Sequence, residues 1–483
     1  MPALVDPPIR AKRRLQLSLK PAELIALSFA GVIGTGTLLL WSPAAVTGER
    51  LTLVDAFFTA VSATCVTGLS VFDVASRLSL FGQLVLLACI QVGGLGLMTL
   101  TTLFVAMLGG RVGVCDRIAI QESYHHSPTG QVRSLIIHVA LATALAEGVG
   151  ALLLFAHWTS IGRIPQWTDR AYQAIFHSIS AFCNAGFALY ADNMVGFAGD
   201  FFTQAVISGL IVTGGIGFLV SLDLREYLLQ QYLQRAPGSR LHKRFDVRKS
   251  RPRVSVHTKI VLCVSALLLV IGTVSYFLLE RRGVLANMST LQAWWNAWFC
   301  AVTARTAGFN TVDYAQMSGP ALMCTMALMF IGASPGSTGG GIKTSTFGVL
   351  VAHAFFRLRG RPKLHAFGRT IPEETIERSH AIVVSAIAVV VLAASVVIEA
   401  ETQRYGSKQS RELFLPVLFE TISAFGTVGL SMNFTATLST LGKLVIAAVM
   451  FIGRVGPLTM GVAVASRTRQ ENYQYAEENI MVG

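Results

Sequence analysis

Four copies of one short glycine motif, evenly spaced along 483 residues, constrain the fold of this chain more than any other feature. The copies align without gaps at 62–69, 180–187, 302–309 and 423–430. Their glycines are Gly68, Gly186, Gly308 and Gly429, separated by 118, 122 and 121 residues. Self-similarity at a fixed period indicates a structural unit that occurs several times. The sequence therefore predicts four copies of one unit.

The four motifs also share their hydrophobic surroundings. An apolar run of spanning length precedes each motif, a shorter amphipathic stretch ends at it, and a second long apolar run follows. The apolar runs before the motifs are 24–41, 134–156, 258–279 and 380–398. The short amphipathic stretches are 52–65, 170–183, 291–305 and 411–425. The apolar runs after the motifs are 80–108, 203–222, 318–352 and 438–465. This order predicts an all-α polytopic membrane protein with four span–pore loop–span repeats around a pseudo-four-fold axis and about eight transmembrane helices. The repeats are predicted at 1–110, 111–230, 231–365 and 366–483.

Composition supports a membrane protein. The chain is 53% hydrophobic and 13% charged, whereas soluble proteins are about a quarter charged, so disordered, fibrous and disulfide-rich secreted classes are excluded. The net charge of +13 mainly reflects the orientation of the chain in the membrane. Of the 39 Lys and Arg, 25 fall in the terminal and linking segments on one side of the predicted spans. The positive-inside rule places both termini in the cytoplasm. No nucleic-acid recognition fold, nucleophile–base pair or metal-ligand spacing is present, so neither a nucleic-acid partner nor an enzyme is expected.

A half-span that returns as a glycine turn indicates an ion site, because unpaired backbone at membrane depth must face protein or water. Four such turns around one axis would form a ring of carbonyl oxygens that replaces the hydration shell of a monovalent cation. A single glycine would more simply mark a helix contact, but four together favour a filter. The predicted filter residues are Val66, Thr67, Gly68, Asn184, Ala185, Gly186, Thr306, Ala307, Gly308, Thr427, Val428 and Gly429, with potassium at the carbonyls of the four glycines.

The last apolar run of the third repeat is interrupted at 332–343. A continuous helix is disfavoured here, because Pro335 removes a helical hydrogen bond and the glycine cluster sustains a helix poorly. We expect a flexible gate beneath the filter, with a static helix break as the alternative. The predicted gate residues are Gly332, Pro335, Gly336, Gly339, Gly340, Gly341, Lys343 and Arg454.

Charged residues within apolar sequence are costly and therefore expected to face a cavity or a partner. Arg454 is expected to act as an electrostatic barrier to cations or as an anchor for the carbonyls of the gate loop, and an ion pair with Glu147 is the structural alternative. Glu420, in the fourth half-span, is expected to support the filter. Arg305 is expected to pack behind the filter, although its orientation does not follow from the sequence.

The four loops, the run 332–344 (GASPGSTGGGIKT) and the run 451–458 (FIGRVGPL) together resemble the Trk/Ktr/HKT superfamily of cation transporters. The C-terminal run 477–483 and the short first repeat resemble the Ktr membrane subunit more than Trk. The resemblance implies potassium uptake across the bacterial inner membrane by a homodimer with one pore per subunit. It also implies regulation by a cytoplasmic RCK ring, which alone binds nucleotide, and activation by sodium. Glycine at position 68 implies potassium preference, since serine there accompanies sodium preference in HKT-type relatives.

A sodium- or proton-coupled cation symporter is the alternative function. Coupled secondary transporters usually contain paired broken helices from inverted repeats. The four repeats here run in the same direction, which favours a channel-like pore.

Overall fold

The computed structural model describes residues 21–96, 132–235, 254–361, 363–405 and 410–456, and in these ranges the chain is mostly helical. The predicted all-α architecture is confirmed, and the described strands form one two-stranded hairpin. Residues 236–253, and the ends of the predicted runs 80–108 and 438–465 beyond residues 96 and 456, lie outside the described residues.

The helices follow the repeated order expected from the sequence. The first unit contains α1 (Pro21–Trp41), α2 (Leu53–Thr64), the short α3 (Val74–Arg77) and α4 (Leu80–Gly94). The second contains α5 (Val132–Ser160), α6 (Trp167–Phe182), α7 (Phe201–Ile216) and α8 (Phe218–Arg235). The third contains α9 (Val256–Glu280), α10 (Thr290–Thr303), α11 (Gly319–Phe330) and α12 (Thr344–Leu358), followed by β1 (His365–Ala366) and β2 (Arg369–Thr370). The fourth contains α13 (Glu373–Tyr405), α14 (Ser410–Gly426) and α15 (Thr440–Val455).

Three of the described helices contain an apolar segment long enough to cross a membrane, at Val139–Ser160, Val256–Glu280 and Glu373–Arg404. They are the first long helices of the second, third and fourth units. The short stretches predicted as half-spans form α2, α6, α10 and α14, which we call the half-span helices. Each half-span helix ends within a few residues of its motif glycine.

The apolar runs that follow the glycines are broken more often than predicted. The run 203–222 was expected to form one span, but it forms α7 and α8, which are bent by 95° at Gly217. Gly217 has a φ of 95°, and α15 ends in the same way at Gly456, with a φ of 96°. Glycine adopts such angles without the steric cost that a Cβ imposes. The second apolar run of the second unit therefore consists of two helices joined at a sharp bend, and not of one continuous helix.

The four units close into a ring. The second-span helix of each unit packs against the half-span helix of the next unit, α4 on α6, α7 on α10, α11 on α14 and α15 on α2. The last of these contacts joins the fourth unit to the first and includes an ion pair of 2.7 Å between Lys443 Nζ and Asp55 Oδ1. The hydrophobic core is divided among these seams.

Buried acids at the ends of two first-span helices fix the start of the second-span helices. Ser318 caps α11, and its backbone N–H and hydroxyl donate to Glu280 Oε1 at 2.8 and 2.6 Å. Ser439 caps α15 in the same way, and its N–H donates to Glu401 Oε1 at 2.8 Å. Both carboxylates are completely buried. This arrangement repeats in the third and fourth units and sets the distance between their two spans.

Replacing Glu280 with alanine should reduce stability. The change leaves partly buried donors of Ser318 and Val284 without an acceptor, and a fully buried donor left in this way costs about 1–3 kcal/mol. We expect a lower thermal unfolding midpoint for the purified protein in detergent. Glu399→Ala is the control, because Glu399 is exposed on α13. Equal unfolding midpoints for the two variants would contradict the structural role of Glu280.

A candidate ion pathway at the centre of the ring

The four motif loops share one backbone conformation. Two residues before each glycine, the chain enters the left-handed region, at Val66 (φ 57°), Asn184 (φ 60°), Thr306 (φ 77°) and Thr427 (φ 49°). The glycines are also left-handed, with φ of 95° at Gly68, 69° at Gly186, 80° at Gly308 and 93° at Gly429. Left-handed non-glycine residues cost about 1–3 kcal/mol each and cluster at functional sites. A conformation of this cost in all four copies indicates a common role.

The four glycines meet in a closed circle. A Cβ added to Gly68 would overlap the carbonyl oxygen of Ala185, and one added to Gly186 would lie 2.7 Å from that of Ala307. A Cβ on Gly308 would overlap the carbonyl oxygen of Val428, and one on Gly429 would overlap that of Thr67. Each glycine therefore abuts the residue before the glycine of the next unit, in the order one, two, three, four, one. The structure brings all twelve predicted filter residues together around this circle.

Hydroxyl groups near the ends of the half-span helices hold the loops. Ser62 Oγ accepts from the N–H of Gly68 and Ser423 Oγ accepts from the N–H of Gly429, both at 3.1 Å. In the other two units the hydroxyl donates to the residue after the glycine, at 2.8 Å from Ser180 to Phe187 O and at 2.6 Å from Thr303 to Phe309 O. Thr303 lies one position later in its motif than the serines. Gapless alignment of the motifs therefore missed it.

Two charged residues of the half-span region support the loops from outside the circle. The guanidinium of Arg305 donates to Ser265 of α9, to its carbonyl oxygen at 3.4 Å and to Oγ at 3.2 Å, so it points away from the glycines. Glu420 is completely buried and accepts from Thr435 Oγ1 at 2.9 Å and from the Ser431 hydroxyl. Glu420 thus links α14 to the segment that follows the fourth glycine.

Residues 331–343 form an irregular loop between α11 and α12, which we call the central loop. It is bonded to the second unit, with Ser334 N donating to Gly215 O at 3.1 Å and Phe218 N donating to Gly336 O at 3.0 Å. It also contacts the circle, because Gly340 N donates to Thr427 Oγ1 at 2.9 Å. A Cβ on Gly339 would overlap Thr306 Oγ1. The loop therefore lies directly against two of the four motif loops.

The predicted gate residues Lys343 and Arg454 both donate to backbone carbonyls of this loop, Lys343 from within the loop and Arg454 from α15. Lys343 Nζ donates to Gly339 O at 2.7 Å. Arg454 Nη1 donates to Thr338 O, and Nη2 donates to Gly93 O at the end of α4. One guanidinium therefore connects the fourth unit, the central loop and the first unit. Arg454 thus has the contacts expected of an anchor for the carbonyls of the gate loop.

Glu147, the alternative partner for Arg454, binds a different residue. Its two carboxylate oxygens accept from Gln91 Nε2 at 3.1 and 3.2 Å, and its backbone oxygen accepts from Ser178 Oγ at 2.6 Å. These contacts join α4, α5 and α6 behind the first two motif loops. Among the contacts in the described ranges, no ion pair connects Glu147 to Arg454.

Three glycines that the sequence did not single out bring the second-span helices close to the motif loops. A Cβ on Gly93, Gly214 or Gly453 would overlap the last turn of the half-span helix in its own unit, at the carbonyl oxygen four residues before the motif glycine. Their sequence signal is a glycine 24–28 residues after the motif glycine. In the third unit Gly332 has this spacing, but its Cβ would meet Gly340 O of the central loop.

The helical fold, its four-membered circle and its apolar helices define a membrane transport protein. A family model described as TrkH, cation transport protein, matches residues 22–475, and the chain belongs to this family. It is a cation transporter and not an enzyme.

Relatives cover the whole chain. Ktr system potassium uptake protein B of Bacillus subtilis is 37% identical over 467 residues, covering 96% of this chain and 97% of the relative. Potassium/sodium uptake protein NtpJ of Enterococcus hirae is 36% identical over 478 residues, covering 98% and 99%. The potassium transporter TrkH of Vibrio parahaemolyticus has the same fold, with a TM-score of 0.68, 17% identity and coverage of 94% of this chain and 86% of that one. The resemblance to Trk/Ktr/HKT transporters, and to Ktr membrane subunits in particular, is confirmed.

Proposed function

We propose that this chain takes up potassium through a channel-like pore whose filter is formed by the carbonyl groups of the four motif loops. The closed circle of glycines is the main observation that supports this proposal. The only side chain that fits against each neighbouring carbonyl is a hydrogen atom, so the circle is as narrow as backbone alone allows. Backbone carbonyls arranged around one axis can replace the hydration shell of a monovalent cation.

Potassium is the proposed substrate because relatives that match nearly the full chain are named as potassium uptake proteins. Glycine at position 68 agrees with this preference. The name of the Enterococcus relative also includes sodium, which keeps sodium conduction, or sodium coupling in a symporter, as the second candidate. A proton-coupled symporter is the remaining form of this alternative.

Flux of radioactive rubidium and sodium into liposomes that contain the purified protein tests this proposal. A pore conducts rubidium down its gradient without any sodium or proton gradient, whereas a symporter requires one. We expect rubidium uptake that follows an imposed membrane potential and exceeds sodium uptake. Uptake that occurs only with an inward sodium or proton gradient would favour the symporter.

The central loop and Arg454 are proposed to close the pore beneath the filter. The loop lies against Thr306 and Thr427, and its position depends on hydrogen bonds to the second and fourth units. The glycines give the loop backbone freedom, and its hydrogen bonds go to two different units. Both features are compatible with a segment that can adopt two positions. We propose that this position of the loop is the closed one.

Replacing Arg454 with glutamine should favour the open position. The change removes two charge-assisted hydrogen bonds, worth about 1.5–3 kcal/mol each, and loss of one such bond shifts an equilibrium about tenfold or more. We therefore expect higher rubidium flux in liposomes without any regulatory partner. Arg170→Gln is the control, since Arg170 also donates to a backbone carbonyl, that of Ile164, but not to the loop. Parental flux in Arg454→Gln would indicate a purely structural arginine.

The physiological assembly is proposed from the Ktr membership. Relatives are named as components of the Ktr system, which supports a separate partner component. We propose a homodimer in the bacterial inner membrane, with cytoplasmic termini and a cytoplasmic RCK ring that binds the nucleotide, and with sodium as an activator. The excess of Lys and Arg on the predicted inner side supports this orientation and offers a surface for the ring.

A further inference from the structure

Asn193 lies beyond the second motif loop and reaches two of the four glycines. Its Nδ2 lies 3.3 Å from Gly186 O and 3.5 Å from Gly308 O. Its Oδ1 accepts from the backbone N–H of Asn310 at 3.4 Å. One side-chain amide therefore spans the seam between the second and third loops and bonds a glycine carbonyl in each.

The position combines requirements that few residue types meet. Asn193 has a φ of 57°, in the left-handed region where asparagine is enriched among non-glycine residues. Its side chain must also supply a donor for the carbonyls and an acceptor for Asn310. Aspartate keeps the acceptor but lacks the donor, and glycine keeps the backbone angle but lacks both. The N–H of Met194 donates to Asn310 O at 3.1 Å and holds the two segments together.

The other half of the circle differs. In the described part of the chain, no hydrogen bond reaches the carbonyl oxygen of Gly68 or Gly429. Asn433 of the fourth unit has nearly the same backbone angle as Asn193, with a φ of 60°, but its Nδ2 lies 3.3 Å from Asp313 Oδ1. The circle therefore has two carbonyls held by a side chain and two that are not.

We propose that Asn193 is a specificity-determining residue, which restrains the carbonyls of Gly186 and Gly308 and thereby disfavours sodium. This inference rests on the proposed filter. A carbonyl that accepts a hydrogen bond has less negative potential to offer an ion and less freedom to move toward a small one. Sodium, the smaller cation, gains more than potassium from close and strong ligands. Release of the two carbonyls should therefore raise sodium flux relative to potassium flux.

The test is the ratio of rubidium to sodium flux in liposomes for Asn193→Gly, Asn193→Asp and the parent. Loss of a hydrogen bond of ordinary strength should lower the ratio about three- to tenfold in both variants, through increased sodium flux. Asn433→Gly is the matched control, because it removes an amide from the same backbone conformation without touching a glycine carbonyl. Its ratio should stay within about twofold of the parent, which is less than the loss of one hydrogen bond would produce.

Three outcomes would overturn the inference. They are an unchanged ratio in both Asn193 variants, an equal fall in Asn433→Gly, and loss of both fluxes in both variants without a gain for sodium. A parent protein that conducts no rubidium would instead overturn the proposed function. A parent that selects rubidium, together with variants that do so equally well, would remove only the role of Asn193.

Discussion

Alanine at Gly308 is expected to reduce rubidium flux about a hundredfold, which corresponds to about 3 kcal/mol at the filter. Its Cβ would overlap the carbonyl oxygen of Val428 and crowd the Cα atoms of Gly186 and Gly429. A left-handed φ of 80° adds a steric cost of about 1–2 kcal/mol for a residue with a Cβ. The circle can relieve the overlap only by moving two neighbouring loops, which displaces their carbonyls.

Gly209→Ala is the matched control for this experiment. Gly209 lies in α7, and a Cβ there meets no atom within 4 Å. We expect parental flux from this control in the same liposomes, with both proteins eluting as single species in detergent. A Gly308→Ala protein that folds normally and keeps more than about half of the parental flux would contradict this expectation. In that case conduction would not require the absence of a Cβ at position 308.

Removal of residues 336–341 from the central loop is expected to raise rubidium flux strongly. Deletion of residues 336–341 eliminates the segment that contacts Thr427 and accepts hydrogen bonds from Phe218 and Arg454. If this segment closes the pore, its removal should raise rubidium flux without the partner by about tenfold or more, since loss of only about 1.4 kcal/mol from the closed state suffices. Unchanged flux would contradict the gate.

A smaller change separates gating from misfolding. A Cβ on Gly340 would lie 2.5 Å from Thr427 Oγ1, so Gly340→Ala should push the loop from the filter while every other residue remains. We expect this variant to raise flux in the same direction as the deletion, measured in the same liposomes. Reduced flux in both variants, with normal elution in detergent, would indicate that the loop supports conduction and does not block it.

Much of the fold follows from the sequence because its strongest signals are local. Four motif copies, the lengths of the apolar runs and the proline and glycines of 332–343 predicted the half-span helices and the break in the third unit. The bend at Gly217 was missed because single glycines are tolerated within an apolar helical run, and the run 203–222 contains four glycines but no proline. A Cβ at Gly217 would lie 2.5 Å from Pro335 O, which belongs to another unit, so the need for glycine here depends on a distant segment.

The candidate site was predictable in its residues but not in its contacts. Motif alignment identified the glycines, yet the order in which they abut depends on how four distant segments close into a circle. The bonds from Arg454 to Thr338 and Gly93 join residues 116 and 361 positions apart, which no local pattern encodes. Asn193 carries no motif signal either, since its role depends on a turn that brings it back to the carbonyls of two units.

Anomalous scattering from thallium or rubidium in crystals of the protein would show whether the four motif loops bind a monovalent cation. We expect a difference peak on the axis of the circle formed by Gly68, Gly186, Gly308 and Gly429, at distances that suit coordination by their loop carbonyls. The peak should be lost in crystals grown with sodium alone. Thallium or rubidium bound elsewhere, with no density within the circle, would contradict the assignment of these loops as the filter.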